Sequence, residues 1–136
     1  MRSGIVAAGS FIVDRVKVIE SWPPEETLTS ITQNSTAPGG AAFNVLVDLA
    51  RLGARFPLSG IGLVGADADG CFVRDTCSDL GIGVASIHET ERAATSYTDV
   101  MTVASTGRRT FFHYRGASSL LDLPHFSFES GSPRHL

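Results

Sequence analysis

Residues 36–53 read TAPGGAAFNVLVDLARLG, and the rest of the chain is organised around this stretch. Apolar residues recur there at helical spacing, which predicts a helix beginning near Gly40 or Ala41. The helix is expected to stop at Gly53, where a C-terminal glycine cap belongs. Gly39 and Gly40 let the backbone approach another group closely, and the positive amino end of the helix faces that group.

Two polar residues are candidates for binding a ligand together with this glycine pair. Residues 4–9 form a short apolar run that predicts a buried parallel strand, and Asp14 follows just past its carboxyl end. Ligands of open α/β sheets bind at that end. Asn44 lies in the first helical turn, where its amide can donate and accept. The alternative for Asp14 is that it decorates an exposed strand end.

The remaining elements predict a parallel sheet. Residues 27–32 are rich in β-formers and predict a strand, residues 60–65 predict a close-packed strand, and residues 84–88 predict another. Asp69 is the expected N-cap of a helix that runs to about Leu80. The resulting β, α, β, α, β order is typical of a parallel sheet covered by helices. Residues 96–103 and 109–114 then predict a hairpin, as an antiparallel edge or an appendage.

Composition excludes several classes of protein. With 136 residues, 43% hydrophobic and 18% charged, the chain suits one soluble domain or a piece of one, with no membrane span or signal peptide expected. A net charge of −3 gives no case for nucleic-acid binding. Cys71 and Cys77 match no metal or redox spacing, so reduced thiols and a cytoplasmic location are expected.

A dinucleotide fingerprint is the main competing motif. Residues 60–65 formally satisfy G-x-G-x-x-G. A true fingerprint places its third glycine at the start of a helix directly after a strand. Here the glycines alternate with apolar residues and lead into an acidic turn, so a Rossmann dehydrogenase is the weaker interpretation.

Several motifs fall in a fixed order along the chain to about residue 123. They are Gly9-Ser10 with Asp14, Trp22-Pro23 before Glu26-Thr27, Gly39-Gly40 with Asn44, Leu49 to Gly53, Val64 to Asp67 with Gly70, and Arg115-Gly116-Ala117. In this combination the chain resembles the amino-terminal part of a sugar kinase of the ribokinase family, also called the PfkB carbohydrate kinases.

The resemblance implies ATP-dependent, magnesium-assisted phosphorylation of a hydroxyl of a small sugar or sugar acid. It implies a doubly wound, mainly parallel α/β fold with a small β lid. Residues 1–136 would form the amino-terminal part of that domain, with lid segments at about 13–32 and 95–114. By analogy alone, two copies pair through their lids. A closing lid would exclude water and position the acceptor hydroxyl.

The family's site residues carry over by position. Asp14 would accept hydrogen bonds from sugar hydroxyls, Gly39 and Gly40 would approach the sugar with their backbone, and Asn44 would bind a further hydroxyl. Arg115 resembles an arginine that pairs with the carboxylate of keto-deoxy sugar acids, which suits its bidentate fork. The alternative for Arg115 is a hydrogen bond to the sheet end. Ile12 stands where ribokinase has a hydroxyl-binding asparagine, so the sugar is not identified.

The family's second signature, Asp-Thr-x-Gly-Ala-Gly-Asp, has no match here. That signature supplies the anion hole and the catalytic base, so no catalytic residue and no metal ligand is assigned, and the ATP site is expected outside this chain. A truncated reading frame or gene fragment is expected, with residues 134–136 resembling the lead-in to the family's next strand. The competing class is a non-catalytic sugar-binding or dimerisation module that uses the same Asp14, Gly39, Gly40 and Asn44.

Overall fold

The structure, a computed structural model, describes residues 3–126, so the expected strand lead-in at 134–136 lies outside the described residues. These residues form two β-sheets and two α-helices, followed by two short 3-10 helices. In chain order the elements are β1 (Ile5–Ala8), β2 (Ile12–Ile19), β3 (Ile31–Gly39), α1 (Ala41–Arg51), β4 (Leu58–Gly65), α2 (Ala68–Asp79), β5 (Ile82–Thr90), β6 (Tyr97–Val103), β7 (Arg109–Tyr114) and the 3-10 helices Gly116–Leu120 and Leu123–His125.

The first sheet is parallel and has the strand order β1-β4-β5. From β1 the chain passes through β2, β3 and helix α1 to reach β4, and α2 connects β4 to β5. This arrangement confirms the predicted α/β class and the parallel sheet. Helix α1 begins at Ala41 as predicted, and the chain turns at Gly53, whose φ of 78° takes the left-handed conformation of a glycine cap.

The core lies between the parallel sheet and the apolar faces of the two helices. Phe11, at the entry to β2, is fully buried. It packs so closely over Gly60 and Gly62 of β4 that a Cβ at either glycine would overlap its ring. These glycines therefore make room for an aromatic side chain, whose burial contributes roughly 1.5–3 kcal/mol. The other main core residues are Val13, Phe43, Leu46, Val47, Leu58, Val64, Val73, Cys77, Ile82 and Ile87.

The second sheet has the order β3-β2-β6-β7, in which β2 and β6 run parallel and the outer pairs run antiparallel. The predicted hairpin at 96–114 is confirmed as β6 and β7. The predicted strand at 27–32 is wrong, because β3 is Ile31–Gly39. Thr27 instead closes a local turn, since both its backbone N–H and its hydroxyl donate to the Pro24 carbonyl.

One ion pair connects the second sheet to helix α2. Arg15 of β2 donates to the Asp69 carboxylate of α2 at 2.6 Å, and its guanidinium lies 4.1 Å from the centre of the Tyr97 ring. The two cysteines are free thiols. Cys71 is exposed, whereas burial raises the pKa of the Cys77 thiol to about 11. Within residues 3–126, neither helix has the length and apolarity needed to cross a bilayer.

Candidate functional site

The site is built around the turn from β3 into α1, which the two glycines form. A Cβ on Gly39 would overlap Oδ2 of Asp14, and a Cβ on Gly40 would overlap the Ser10 carbonyl oxygen. Gly40 also has a φ of 101°, a conformation that L side chains rarely adopt. The close approach expected from the sequence is therefore real, and one of its partners is the Asp14 carboxylate.

Helix α1 starts directly after this turn without a side-chain cap. The Ser10 hydroxyl accepts from the Ala41 N–H at 3.3 Å, and the Asn44 N–H closes the first turn on the Gly40 carbonyl at 2.9 Å. The Asn44 side chain is exposed in this first turn. The structure thus brings Asp14, Gly39, Gly40 and Asn44 to one end of the second sheet.

Asp14 lies within β2 and not in a loop beyond β1. Its neighbours across the sheet are Ala37 of β3 and Thr98 of β6. The carboxyl group is half-buried, and this burial raises its pKa, although a hydrogen bond from Thr98 and the charge of His113 partly oppose the rise. Asp14 is therefore a carboxylate whose negative charge the folded protein compensates incompletely.

Thr98 and His113 are the site residues that the sequence did not reveal. They pair across β6 and β7, and the Thr98 hydroxyl lies 2.9 Å from Nδ1 of His113. The cross-strand row is therefore Asp14, Thr98 and His113 on three adjacent strands. The alternation of residue types in each strand was visible in the sequence, but the pairing of β2 with β6 was not.

Arg115 follows β7, near the Asp14 end of the sheet. Its carbonyl accepts from the Ser96 hydroxyl at 2.5 Å, and that hydroxyl accepts from the Ser118 N–H at 3.0 Å. The Arg115 side chain is exposed, and no described residue contributes a hydrogen bond or ion pair to its guanidinium. The hydrogen bond at the sheet end is thus made by the backbone of Arg115 and not by its guanidinium.

A second carboxylate, Asp67, has a different role. It caps α2 by accepting from the Gly70 N–H at 2.8 Å, and it accepts from the N–H and hydroxyl of Thr95 at 2.8 and 2.6 Å. Burial alone raises the pKa of Asp67, but the bonds from Thr95 and Gly70 and the charge of Arg15 outweigh it, so the pKa is lowered. The predicted cap, Asp69, is wrong, because its carboxylate pairs with Arg15.

The glycines of residues 60–65 lie inside β4, and α2 begins only at Ala68. No helix starts at the third glycine, so the fingerprint geometry is absent from this segment. No group of three or more His, Cys, Asp or Glu side chains among residues 3–126 could hold a metal ion. The described residues therefore do not fit a magnesium site of their own, and no step is assigned to magnesium or ATP within this chain.

Comparison with known proteins gives the family. The model of the pfkB family carbohydrate kinases matches residues 2–133. A nucleoside kinase of Methanothermobacter thermautotrophicus is 28% identical over 118 residues, which cover 87% of this chain and 38% of that protein. A fructokinase of Salmonella typhimurium is 38% identical over 95 residues, which cover 66% of this chain and 30% of that protein.

Solved structures show the same fold. Arabidopsis thaliana ribokinase in complex with ribose and ATP matches with a TM-score of 0.76 at 26% identity, over 86% of this chain and 37% of that one. Xylella fastidiosa fructokinase with bound ATP matches with a TM-score of 0.73 at 27% identity, over 93% of this chain and 38% of that one. Giardia lamblia ribokinase, at 22% identity and a TM-score of 0.81 over 92% and 37%, supports the ribokinase-like fold alone.

The chain spans 30% to 38% of the length of these curated relatives. Within that span the family model covers nearly every residue, including the glycine turn, the second sheet and the Asp67 cap. The chain belongs to the pfkB family of carbohydrate kinases.

Proposed function

We propose that this chain provides the sugar-binding part of a kinase that transfers a phosphoryl group from ATP to a hydroxyl of a small sugar or sugar acid. The observation that carries the proposal is the Asp14 carboxylate, which lies against Gly39 at the turn into α1. Because an ionised carboxylate only accepts hydrogen bonds, and burial leaves this one incompletely compensated, hydroxyl groups are its natural partners.

Each candidate residue has a role in this proposal. Asp14 accepts from two sugar hydroxyls, and Gly39 and Gly40 admit the sugar because they carry no side chain. Asn44 donates to or accepts from a further hydroxyl in the first turn of α1. Arg115 selects among substrates, because its exposed guanidinium can form a bidentate pair with the carboxylate of a sugar acid.

The second sheet acts as a lid over the sugar. It carries Asp14 on β2, and its β7 edge is exposed along its whole length, as expected for an appendage beside a core. Closing such a sheet excludes water and positions the acceptor hydroxyl for in-line attack. The Arg15–Asp69 ion pair links the lid to α2.

The phosphoryl-transfer chemistry requires groups that residues 1–136 do not contain. Solved relatives are described with bound ATP, which supports ATP as the donor in this family. The Gly-Ala-Gly-Asp segment that would hold the catalytic base is absent from the sequence. Residues 1–136 alone are therefore expected to bind a sugar without phosphorylating it.

The proposal is tested with a complete kinase in which residues 1–136 form the sugar-binding part, since these residues alone are not expected to phosphorylate. D-fructose, D-ribose, adenosine and 2-keto-3-deoxygluconate are each incubated with ATP and magnesium, and phosphorylated products are measured by mass spectrometry. One substrate is expected to be phosphorylated, with Asp14→Ala raising its KM at least about tenfold, the value of one lost charged hydrogen bond. Saturable binding of a sugar with no phosphorylation would instead support the non-catalytic binding module. No binding of any of the four would overturn the assignment of Asp14.

The selective role of Arg115 has its own comparison. Arg115→Lys keeps the positive charge but removes the bidentate fork, whereas Arg115→Met removes both. If the substrate is the sugar acid, both variants should raise KM for it, Arg115→Met by more. If a neutral sugar is the substrate and neither variant changes its KM, Arg115 has no part in binding.

A further inference from the structure

We propose that Thr98 and His113 are positioning residues that hold the Asp14 carboxylate in its sugar-binding orientation through a one-way chain of hydrogen bonds. The inference rests on the proposed sugar-binding role of Asp14. It adds two residues and a direction of proton donation to that site.

The geometry begins with the strand register. Asp14 of β2 is the direct neighbour of Thr98 of β6, and Thr98 is the direct neighbour of His113 of β7. Residues in direct register have side chains on the same face of a sheet. The three side chains therefore form a continuous polar row across three strands.

Thr98 is the central member and is 7% exposed. A buried hydroxyl needs hydrogen-bond partners, and the neighbours of Thr98 on the two adjacent strands, Asp14 and His113, can supply them. Its oxygen lies 2.9 Å from Nδ1 of His113, and Asp14 is its direct neighbour on β2, where the Thr98 hydroxyl opposes the rise in the pKa of the carboxyl.

Counting protons fixes the direction of the row. In the proposed row the ionised Asp14 carboxylate can only accept, so Thr98 donates its single hydroxyl proton to Asp14. The Thr98 oxygen must then accept from His113, and Nδ1 of His113 must carry a proton. Neutral His113 is therefore the Nδ1–H tautomer, which leaves Nε2 as the acceptor.

Gly39 limits the carboxylate on its other side. Oδ2 of Asp14 occupies the space that a Cβ on Gly39 would fill, so the group is confined between β3 and the hydroxyl of β6. A carboxylate offers about four lone-pair positions, of which Thr98 uses one. The remaining positions are presented in a fixed orientation, which suits two neighbouring hydroxyls of one sugar.

Thr98 is tested in the same complete kinase by steady-state kinetics with whichever of the four substrates named above has the lowest KM. Thr98→Val keeps the shape but removes the donor, and it is expected to raise KM about tenfold while leaving kcat within about twofold. Thr98→Ser restores the hydroxyl and should recover most of the wild-type KM. Equal KM values for Thr98→Val and wild type would overturn the proposal.

His113 offers a pair of matched variants. The amide of Asn can occupy the position of Nδ1, whereas the amide of Gln reaches the position of Nε2. His113→Asn should therefore keep KM near the wild-type value, and both His113→Gln and His113→Leu should raise it severalfold. A role in packing alone predicts that His113→Asn and His113→Gln behave alike, and that result would contradict the row.

The direction of the row is measured without any sugar. Long-range proton–nitrogen NMR spectra distinguish the two neutral tautomers of a histidine ring, and His113 should be the Nδ1–H form in wild type. The Nε2–H form would overturn the proposal. If the NMR result agrees but Asp14→Ala leaves all KM values unchanged, the row exists and the proposed sugar-binding function fails instead.

Discussion

Asp14 lies near the start of β2 and Asp67 just past the end of β4, and both carboxylates are partly buried, yet their surroundings act on them in opposite directions. Asp67 accepts three hydrogen bonds from Gly70 and Thr95, and its pKa is lowered in spite of burial. At Asp14 burial prevails, and the pKa is raised. The difference indicates that Asp67 stabilises the fold, whereas the charge of Asp14 is compensated less completely, as its proposed sugar-binding role requires.

The region around Asp67 shows what the motif from Val64 to Gly70 does in the fold. The N–H of Gly65 donates to the hydroxyl of Thr95 at 2.9 Å, and the same hydroxyl donates to Asp67. Thr95, 1% exposed, thereby joins the end of β4, the start of α2 and the segment before β6. Gly65, Asp67 and Gly70 therefore form, together with Thr95, a structural joint from which the chain leads into β6.

Two glycines provide the sharpest contrast between these regions. A Cβ on Gly70 would overlap the backbone oxygen of Gly65, whereas a Cβ on Gly39 would overlap only the side chain of Asp14. Gly70→Ala should therefore destabilise the protein by about 3 kcal/mol, the upper range for overpacking. Gly39→Ala should leave Tm nearly unchanged but weaken sugar binding at least tenfold, since the carboxylate must move. Calorimetry and sugar titration check both, and a Tm loss in Gly39→Ala equal to that in Gly70→Ala would remove the contrast.

Removal of the Asp67 carboxylate is the next largest effect. Asp67→Ala deletes a helix cap and leaves the Thr95 hydroxyl and N–H without their acceptor, which should lower the free energy of unfolding by about 2 kcal/mol. Asp75→Ala, at an exposed position of the same helix, is the matched control and should lie within about 0.5 kcal/mol of wild type. Chemical denaturation measures both. Equal midpoints for the two variants would show that the Asp67 bonds do not stabilise the fold.

Acid titration separates the two carboxylates further. Because the folded-state pKa of Asp67 lies below its ordinary value of 3.8, folding favours the ionised form. This stabilisation is complete above about pH 3.8 and is lost as the pH falls through the lowered folded-state value. The Tm of wild type should therefore drop more steeply below pH 4 than that of Asp67→Asn. Parallel Tm curves for the two proteins would contradict the lowered pKa.

The smallest expected effect has the opposite sign. The raised pKa of Asp14 means that folding favours its protonated form, so the stabilisation is complete below pH 3.8 and is lost as the pH rises through the folded-state value. At pH 7 Asp14→Asn should therefore be more stable than wild type by about 0.5 kcal/mol, as expected for a partly exposed site. The gain should disappear near pH 3.5. A lower Tm for Asp14→Asn at pH 7 would show that the carboxylate stabilises the fold.

The parts of the molecule that the sequence predicted are those set by neighbouring residues. Helix α1 follows from its own apolar spacing and from the glycines at its two ends, and the β6–β7 hairpin follows from the turn between its strands. The clustering of Asp14 with Gly39 was expected from the family's residues. The sugar-binding roles of Asp14, Gly39, Gly40, Asn44 and Arg115 stay predictions.

The parts that were missed depend on partners distant in the chain. Asp67 and Asp69 are equally good caps by residue type, and the choice is made by Thr95 and Arg15, which lie 28 and 54 residues away. Thr98 and His113 join the site only because β2 pairs in parallel with β6. Hydrophobic patterns within each strand carry no information about that pairing, since it is fixed by the whole fold.

The most direct test of the central claim is the Kd of the Asp14→Asn protein for the sugar that wild type binds, measured by isothermal titration at pH 7 beside its Tm. The variant keeps the shape of the side chain but replaces an acceptor-only group by one that also donates. A loss of affinity of at least tenfold with a Tm equal to or above that of wild type is the predicted result. An unchanged Kd, or a loss of affinity accompanied by a lower Tm, would mean that Asp14 belongs to the fold and not to the sugar site.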